Sequence, residues 1–170
     1  MPQKGSSRSD RRSSSTPRSS SPRSSGSPRR STIERKVTAR NMTSDEQAFV
    51  QRNAAKLSPS TLRAKWTHSP REHEDRPGQT LATRDADVIQ AWAKARKAKP
   101  ATVARREGDR PRTLRFDFPS YGGRRLEPVD WDAWLRTFRD RDLVFLYQEH
   151  RRNGDESNFF RLDSPKREQG

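Results

Sequence analysis

No aromatic residue occurs before Phe49, and all four tryptophans and all seven phenylalanines lie between Phe49 and Phe160. Folding is driven by burial of large apolar side chains, so this segregation confines any core to the part of the chain after Phe49. Met1 to Thr32 hold 13 serines, 7 arginines and 4 prolines, a composition with no apolar period that could bury one face. Across all 170 residues the apolar fraction is 27% and the mean hydropathy -1.31, too low for the whole chain to offset its ordering entropy. The expected division is a disordered basic Ser/Arg/Pro tail over 1–41 and a weakly structured helical connector and linker over 42–84. A compact α+β domain over 85–165 and a disordered end over 166–170 complete it.

Local signals set the expected elements. Thr43 followed by Glu46 has capping-box spacing ahead of Phe49, Val50 and Leu57, predicting a short helix that ends before Pro59. Ser58 or Ser60 caps a second short helix carrying Leu62 and Trp66, and Thr67 to Thr83, with Pro70, Pro77 and Gly78, reads as a linker. Asp85 precedes Val88, Ile89, Trp92 and Ala95 at helical spacing, and Pro100 ends that helix. Ala101 to Arg105 and Thr113 to Phe118 read as strands, the latter alternating Leu114, Phe116 and Phe118 with Arg115 and Asp117. Asp130 caps a helix with the stripe Trp131, Trp134, Leu135 and Phe138, and Val129 and Trp134 have hydrophobic-staple spacing. Leu143 to Tyr147 is a continuous apolar run fit for a central strand. Asn153-Gly154 signals a type I′ hairpin into Asn158 to Leu162, where Phe159 and Phe160 complete the core. The expected order is α-β-β-α-β-β: one small, mainly antiparallel four-stranded sheet with two helices on one side.

Charge points to the partner class. A net charge of +15 and a pI near 11.3 favour anionic partners, DNA or RNA through phosphate contacts or an acidic protein. Through Asn41 the chain carries 11 basic and 2 acidic residues, so charge density is greatest in the tail. The tripeptides Thr16-Pro17-Arg18, Ser21-Pro22-Arg23 and Ser27-Pro28-Arg29, with Ser69-Pro70-Arg71 and Ser164-Pro165-Lys166, resemble the Ser-Pro-basic repeats of linker-histone and sperm-histone tails. Phosphorylation of such serines would cancel the tail's field. A second basic stretch runs from Lys94 to Arg115, and Leu126 to Asp163 is by contrast mildly acidic. The candidate nucleic-acid contacts are therefore Arg8, Arg11, Arg12, Arg18, Arg23, Arg29 and Arg30 in the tail. Lys97, Lys99, Arg105, Arg106, Arg110 and Arg112 are the candidates in the domain.

Catalytic chemistry finds little footing. There is no cysteine, hence no disulfide, thiolate metal site or Cys nucleophile. His68, Glu72, His73, Glu74 and Asp75 resemble a metal cluster in composition, but Pro70 divides them and they read as a polar linker. Asp117, Glu127, Asp130 and Asp132 could pair carboxylates for acid/base work, though helix capping explains the last two. His150 stands alone at a strand end, and Tyr121-Gly122-Gly123 matches no phosphate-binding or dinucleotide loop. No motif implies a cofactor, and no window approaches the apolar length of a membrane span.

Several segments carry a resemblance: His68-Ser69-Pro70, Glu74-Asp75-Arg76-Pro77-Gly78-Gln79-Thr80-Leu81-Ala82-Thr83-Arg84, Leu114-Arg115-Phe116-Asp117-Phe118-Pro119, Phe145-Leu146-Tyr147-Gln148-Glu149-His150 and Ser157-Asn158-Phe159-Phe160. Over about residues 42 to 165 the chain resembles a family of small bacterial proteins, some of which carry the label glucan branching enzyme. A domain of this size cannot hold the barrel or the spaced carboxylates of that reaction, so the label is rejected and no functional residue carries over. The reading that follows is a non-enzymatic cytoplasmic protein, nucleoid-associated through non-specific phosphate contacts. The alternative is a protein-interaction module with the tail as appendage. An enzyme using Asp117, Glu127 and His150 stands third.

Overall fold

The computed structural model describes residues 36–103, 113–119 and 126–166, all within one compact unit, Ile33–Gly170. Helix α1 (Ser44–Asn53) begins with the expected capping box: Glu46 N donates to Thr43 Oγ1 at 3.3 Å, and Thr43 N donates to Glu46 Oε2 at 2.8 Å. The second short helix does not form. A single 3-10 turn, Thr61–Arg63, gives way to extended backbone at Ala64, and Trp66 lies on β1 (Lys65–Trp66). Of the two candidate caps Ser58 is used, Thr61 N donating to its Oγ at 3.4 Å, while Ser60 makes no side-chain cap; Lys65 N and Trp66 N donate to the carbonyls of Thr80 and Arg40. Pairing with distant chain segments outcompetes continuation of so short a turn.

Then follow β2 (Leu81–Thr83), α2 (Ala86–Ala95), β3 (Lys99–Val103), β4 (Leu114–Asp117), β5 (Leu126–Pro128), α3 (Trp131–Asp140), β6 (Val144–Tyr147) and β7 (Phe160–Asp163). The fold is α+β, with three helices and two sheets among the described residues in place of the single expected sheet. The four-stranded sheet has order β1-β2-β6-β7, parallel between β1 and β2 and antiparallel elsewhere. The three-stranded sheet has order β4-β3-β5 and is antiparallel.

Strand β6 explains the layering. Val144 and Leu146 join a cluster with Phe49, Leu57, Leu62 and Trp66, while Phe145 and Tyr147 join one with Trp92, Phe116 and Trp134. Successive side chains point to opposite faces, so an unbroken apolar strand must be covered on both. The first cover comes from 42–84, expected to be a weakly structured connector. Its Leu57, Ala64, Trp66 and Ala82 are each 0% exposed, and part of the expected linker is β2 itself. The ordered chain also reaches into the expected tail. Val37 and Ala39 pack on this cluster, and Thr38 N and Arg40 N donate to Leu62 O and Ala64 O.

The second cover is α2, α3 and the smaller sheet. Asp85 and Asp130 cap these helices as expected, accepting from Val88 N at 3.0 Å and Ala133 N at 2.8 Å. Pro100 does not terminate α2. Lys97 adopts φ 53°, its N–H donates to Lys94 O, and Ala98 N donates to Ala93 O. This is a Schellman motif with lysine at the left-handed position, which leaves Pro100 free to enter β3. Helix α3 ends the same way: Asp142 has φ 51°, with Asp142 N to Arg139 O and Leu143 N to Phe138 O. On β4, Leu114 and Phe116 are buried and Arg115 and Asp117 exposed, as the alternation requires. Strand β3 starts at Lys99 rather than Ala101, and residues 104 and 105 lie outside the described residues. Strand β5 was not expected, being three residues with a proline and no alternation to detect.

Asn153-Gly154 does not make a type I′ turn. Only Gly154 has positive φ, at 90°, while Gly154 N donates to Arg151 O and Arg151 N donates to Asp155 O. That is a type I turn closed by a glycine bulge, at the tip of a long connection between β6 and β7. Phe160 packs into the core but Phe159, on the opposite face, is 46% exposed rather than buried.

Candidate nucleic-acid interface

Of the sequence-nominated cations, Lys97 and Lys99 are described and exposed. Arg8, Arg11, Arg12, Arg18, Arg23, Arg29, Arg30, Arg105, Arg106, Arg110 and Arg112 lie outside the described residues. Lys94 is exposed as well, so the end of α2, its Schellman turn and the start of β3 present three ammonium groups in succession. None of the three makes an ion pair among the described residues.

A second basic feature was not anticipated. The outer strands β4 and β7 of the two sheets line a groove of about 320 Å³ with Arg115, Arg141 and Arg161 around an apolar floor that includes Leu114, Leu143 and Leu162. All three arginines are exposed. Sequence reading missed the groove because its arginines are far apart along the chain and meet only once two sheets exist. The backbone of β4 is not open throughout, since Trp134 Nε1 donates to Arg115 O at 3.1 Å.

Arg96 differs from its basic neighbours. It turns inward at the C-cap of α2, lies 4.5 Å from the Trp92 ring centroid, and donates to the carbonyls of Ser157, Trp92, Gln148 and Glu149. Burial pushes its pKa below the usual arginine value, against the opposing fields of Glu156 and Glu149. The group stays a cation whose donors bind the chain to itself.

Arg96 borders a cleft of about 230 Å³ with Glu72, His73, Glu149, His150 and Glu156 at its rim. Here the polar segment 68–75 is tied into the fold. His68 Nε2 lies 2.7 Å from Glu46 Oε2, Lys65 Nζ lies 3.0 Å from Glu74 Oε2, and Glu74 N donates to Glu149 Oε2 at 2.6 Å. The Lys65 hydrogen bond lowers the Glu74 pKa. At the cleft floor Tyr147 Oη lies 3.0 Å from Thr67 Oγ1, and burial pushes its pKa up to about 12. Among the described residues no group of three or more His and carboxylates has a metal-binding arrangement. The enzyme constellation is not assembled: Asp117 and Glu127 sit on strands flanking β3, opposite Lys99 and Thr102, and only His150 borders the cleft.

The described members of the patch expected of an interaction module, Trp131 and Trp134, do not form one. Trp134 is 0% exposed, Trp131 is partly buried against the core, and Tyr121 lies outside the described residues. No described helix is long and apolar enough to cross a membrane. No protein-family model, curated protein or solved structure matches this chain.

Proposed function

We propose that this is a nucleic-acid-associating protein without catalytic activity, working in the cytoplasm at the nucleoid and binding through phosphate contacts with little sequence preference. The observation that carries the reading is the set Lys94, Lys97 and Lys99, exposed at one end of α2 without ion-pair partners among the described residues. Ammonium groups spaced along a helix end and a strand start neutralise successive phosphates and release their counterions, giving affinity without base readout. The Arg115, Arg141 and Arg161 groove and the net charge of +15 add to the same field.

A salt titration of binding to duplex DNA tests it. The full chain is expected to lose affinity linearly in log salt, and K97S/K99S to reduce the slope by about 2. A chain beginning at Ile33, where the compact unit starts, measures the contribution of the first 32 residues. Affinity that does not respond to salt would overturn the reading.

A further inference from the structure

Val103 and Phe159 are the exposed large hydrophobics among the described residues, each 46% exposed, and Phe159 is the aromatic one. The ring is presented by a fixed backbone. Phe159 N donates to Ser157 Oγ at 3.2 Å, Gln148 N donates to Phe159 O at 3.3 Å, and Arg96 holds the Ser157 carbonyl at 2.6 Å. Next along the chain, Phe160 anchors the segment in the core, 5.0 Å from Phe116 and 6.0 Å from Trp92 between ring centroids. Alternation forces position 159 outward, where a polar residue would ordinarily stand.

The ring borders a hollow of about 420 Å³ formed with Phe118, Gln148, Arg151, Ser157 and Asn158. Its polar inventory is specific. The Asn158 amide makes no hydrogen bond among the described residues, offering both donor and acceptor. Gln148 Nε2 donates to Gly78 O, which leaves Oε1 able to accept. Arg151 is exposed and forms no ion pair among the described residues. An aromatic face, an unpaired amide and an unpaired guanidinium around a single-ligand volume match one nucleotide: base on ring, base edge on amide, phosphate on guanidinium.

We infer that the Phe159 hollow is a base-stacking subsite for single-stranded nucleic acid. This rests on the nucleic-acid reading and deepens it, because a stacked duplex exposes no base face to a ring whereas a single strand does. Arg151 supplies the charge complementarity, and an apolar protein surface would leave both it and the Asn158 amide unsatisfied.

The full chain and its Phe159→Ala and Phe159→Trp variants are compared for binding a thymidine oligonucleotide, a duplex of equal length, and heparin as an anion without bases. Phe159→Ala is expected to weaken the single strand by roughly 5- to 100-fold and leave duplex and heparin unchanged, with Phe159→Trp retaining affinity. If the alanine variant binds the single strand as the parent does, the stacking subsite is overturned while the phosphate-contact reading stands. Equal losses for all three probes overturn stacking in favour of a charge or folding effect. If the parent chain binds none of them, both readings fall.

Discussion

Arg96 Nε donates to the Ser157 carbonyl at 2.6 Å while the same guanidinium lies 4.5 Å from the Trp92 ring centroid, so one side chain ties the end of α2 to the β6–β7 connection. The planar fork also reaches the carbonyls of Gln148 and Glu149. A lysine cannot span these acceptors or stack in the same way. Arg96→Lys is therefore expected to destabilise the fold by about 2 kcal/mol, and Arg96→Ala by more, because half-buried carbonyls lose their donors. Denaturant unfolding measures the loss, and faster amide exchange across 148–159 than across α3 would localise it. Unchanged exchange there would refute the clamp.

Asp163 provides the corresponding tie on the other side of the larger sheet. It is 1% exposed, and its Oδ2 accepts from Thr61 Oγ1 at 2.5 Å and from Ser58 N at 2.7 Å, joining β7 to the turn after α1. Asp163→Ala removes the acceptor of the half-buried Ser58 N and one partner of the buried Thr61 hydroxyl, which keeps Ser58 Oγ at 3.2 Å, and is expected to cost about 2 kcal/mol, with Asp163→Asn costing less because one acceptor oxygen survives. Equal losses for the two variants would argue that packing rather than acceptance is responsible.

These ties indicate what sequence could and could not disclose. The three helix N-caps at Thr43, Asp85 and Asp130, the alternation of β4 and the two-faced burial of β6 follow from local pattern, and the structure has them. Strands β1, β2 and β5 are two or three residues long and carry no period of their own. They are strands only because a partner is present, Leu81 opposite Tyr147 and Ala101 opposite Pro128. Splitting the strands into two sheets is likewise a long-range outcome. For the candidate interface, exposed Lys97 and Lys99 were legible as cations, but the inward turn of Arg96 and the meeting of Arg115 with Arg161 needed the tertiary fold.

Two helices end on left-handed residues other than glycine, and they are expected to respond oppositely to glycine. Lys97, at φ 53°, is exposed and makes no side-chain hydrogen bond or ion pair among the described residues, so Lys97→Gly relieves backbone strain and is expected to stabilise by roughly 0.5–1 kcal/mol. Asp142, at φ 51°, lies 2.9 Å from Lys166 and 3.3 Å from Arg84, and the Lys166 hydrogen bond lowers its pKa. Asp142→Gly gives up both ion pairs and is expected to be neutral or slightly destabilising. Paired denaturation curves check the contrast, and stabilisation of both variants to the same degree would remove any role for the Asp142 pairs.

Tyr147 makes stability sensitive to alkaline pH. Its pKa is pushed up to about 12, chiefly by burial, against about 10 in an unfolded chain. Below pH 10 both states carry the phenol proton and the group contributes no slope. Between pH 10 and 12 the unfolded chain loses the proton while the folded one keeps it, so the unfolded state binds fewer protons and unfolding free energy falls as pH rises. Two pH units correspond to about 2–3 kcal/mol lost across that window. Tyr147→Phe removes the phenol and its contact with Thr67 Oγ1, which retains the Ala82 carbonyl as acceptor. The variant is expected to be about 1 kcal/mol less stable at pH 8 yet to lose less between pH 10 and 12 than the parent chain. Every other titratable group is common to the two proteins, so the difference between their curves isolates the phenol. A constant difference from pH 8 to 12 would show that Tyr147 ionises as freely folded as unfolded.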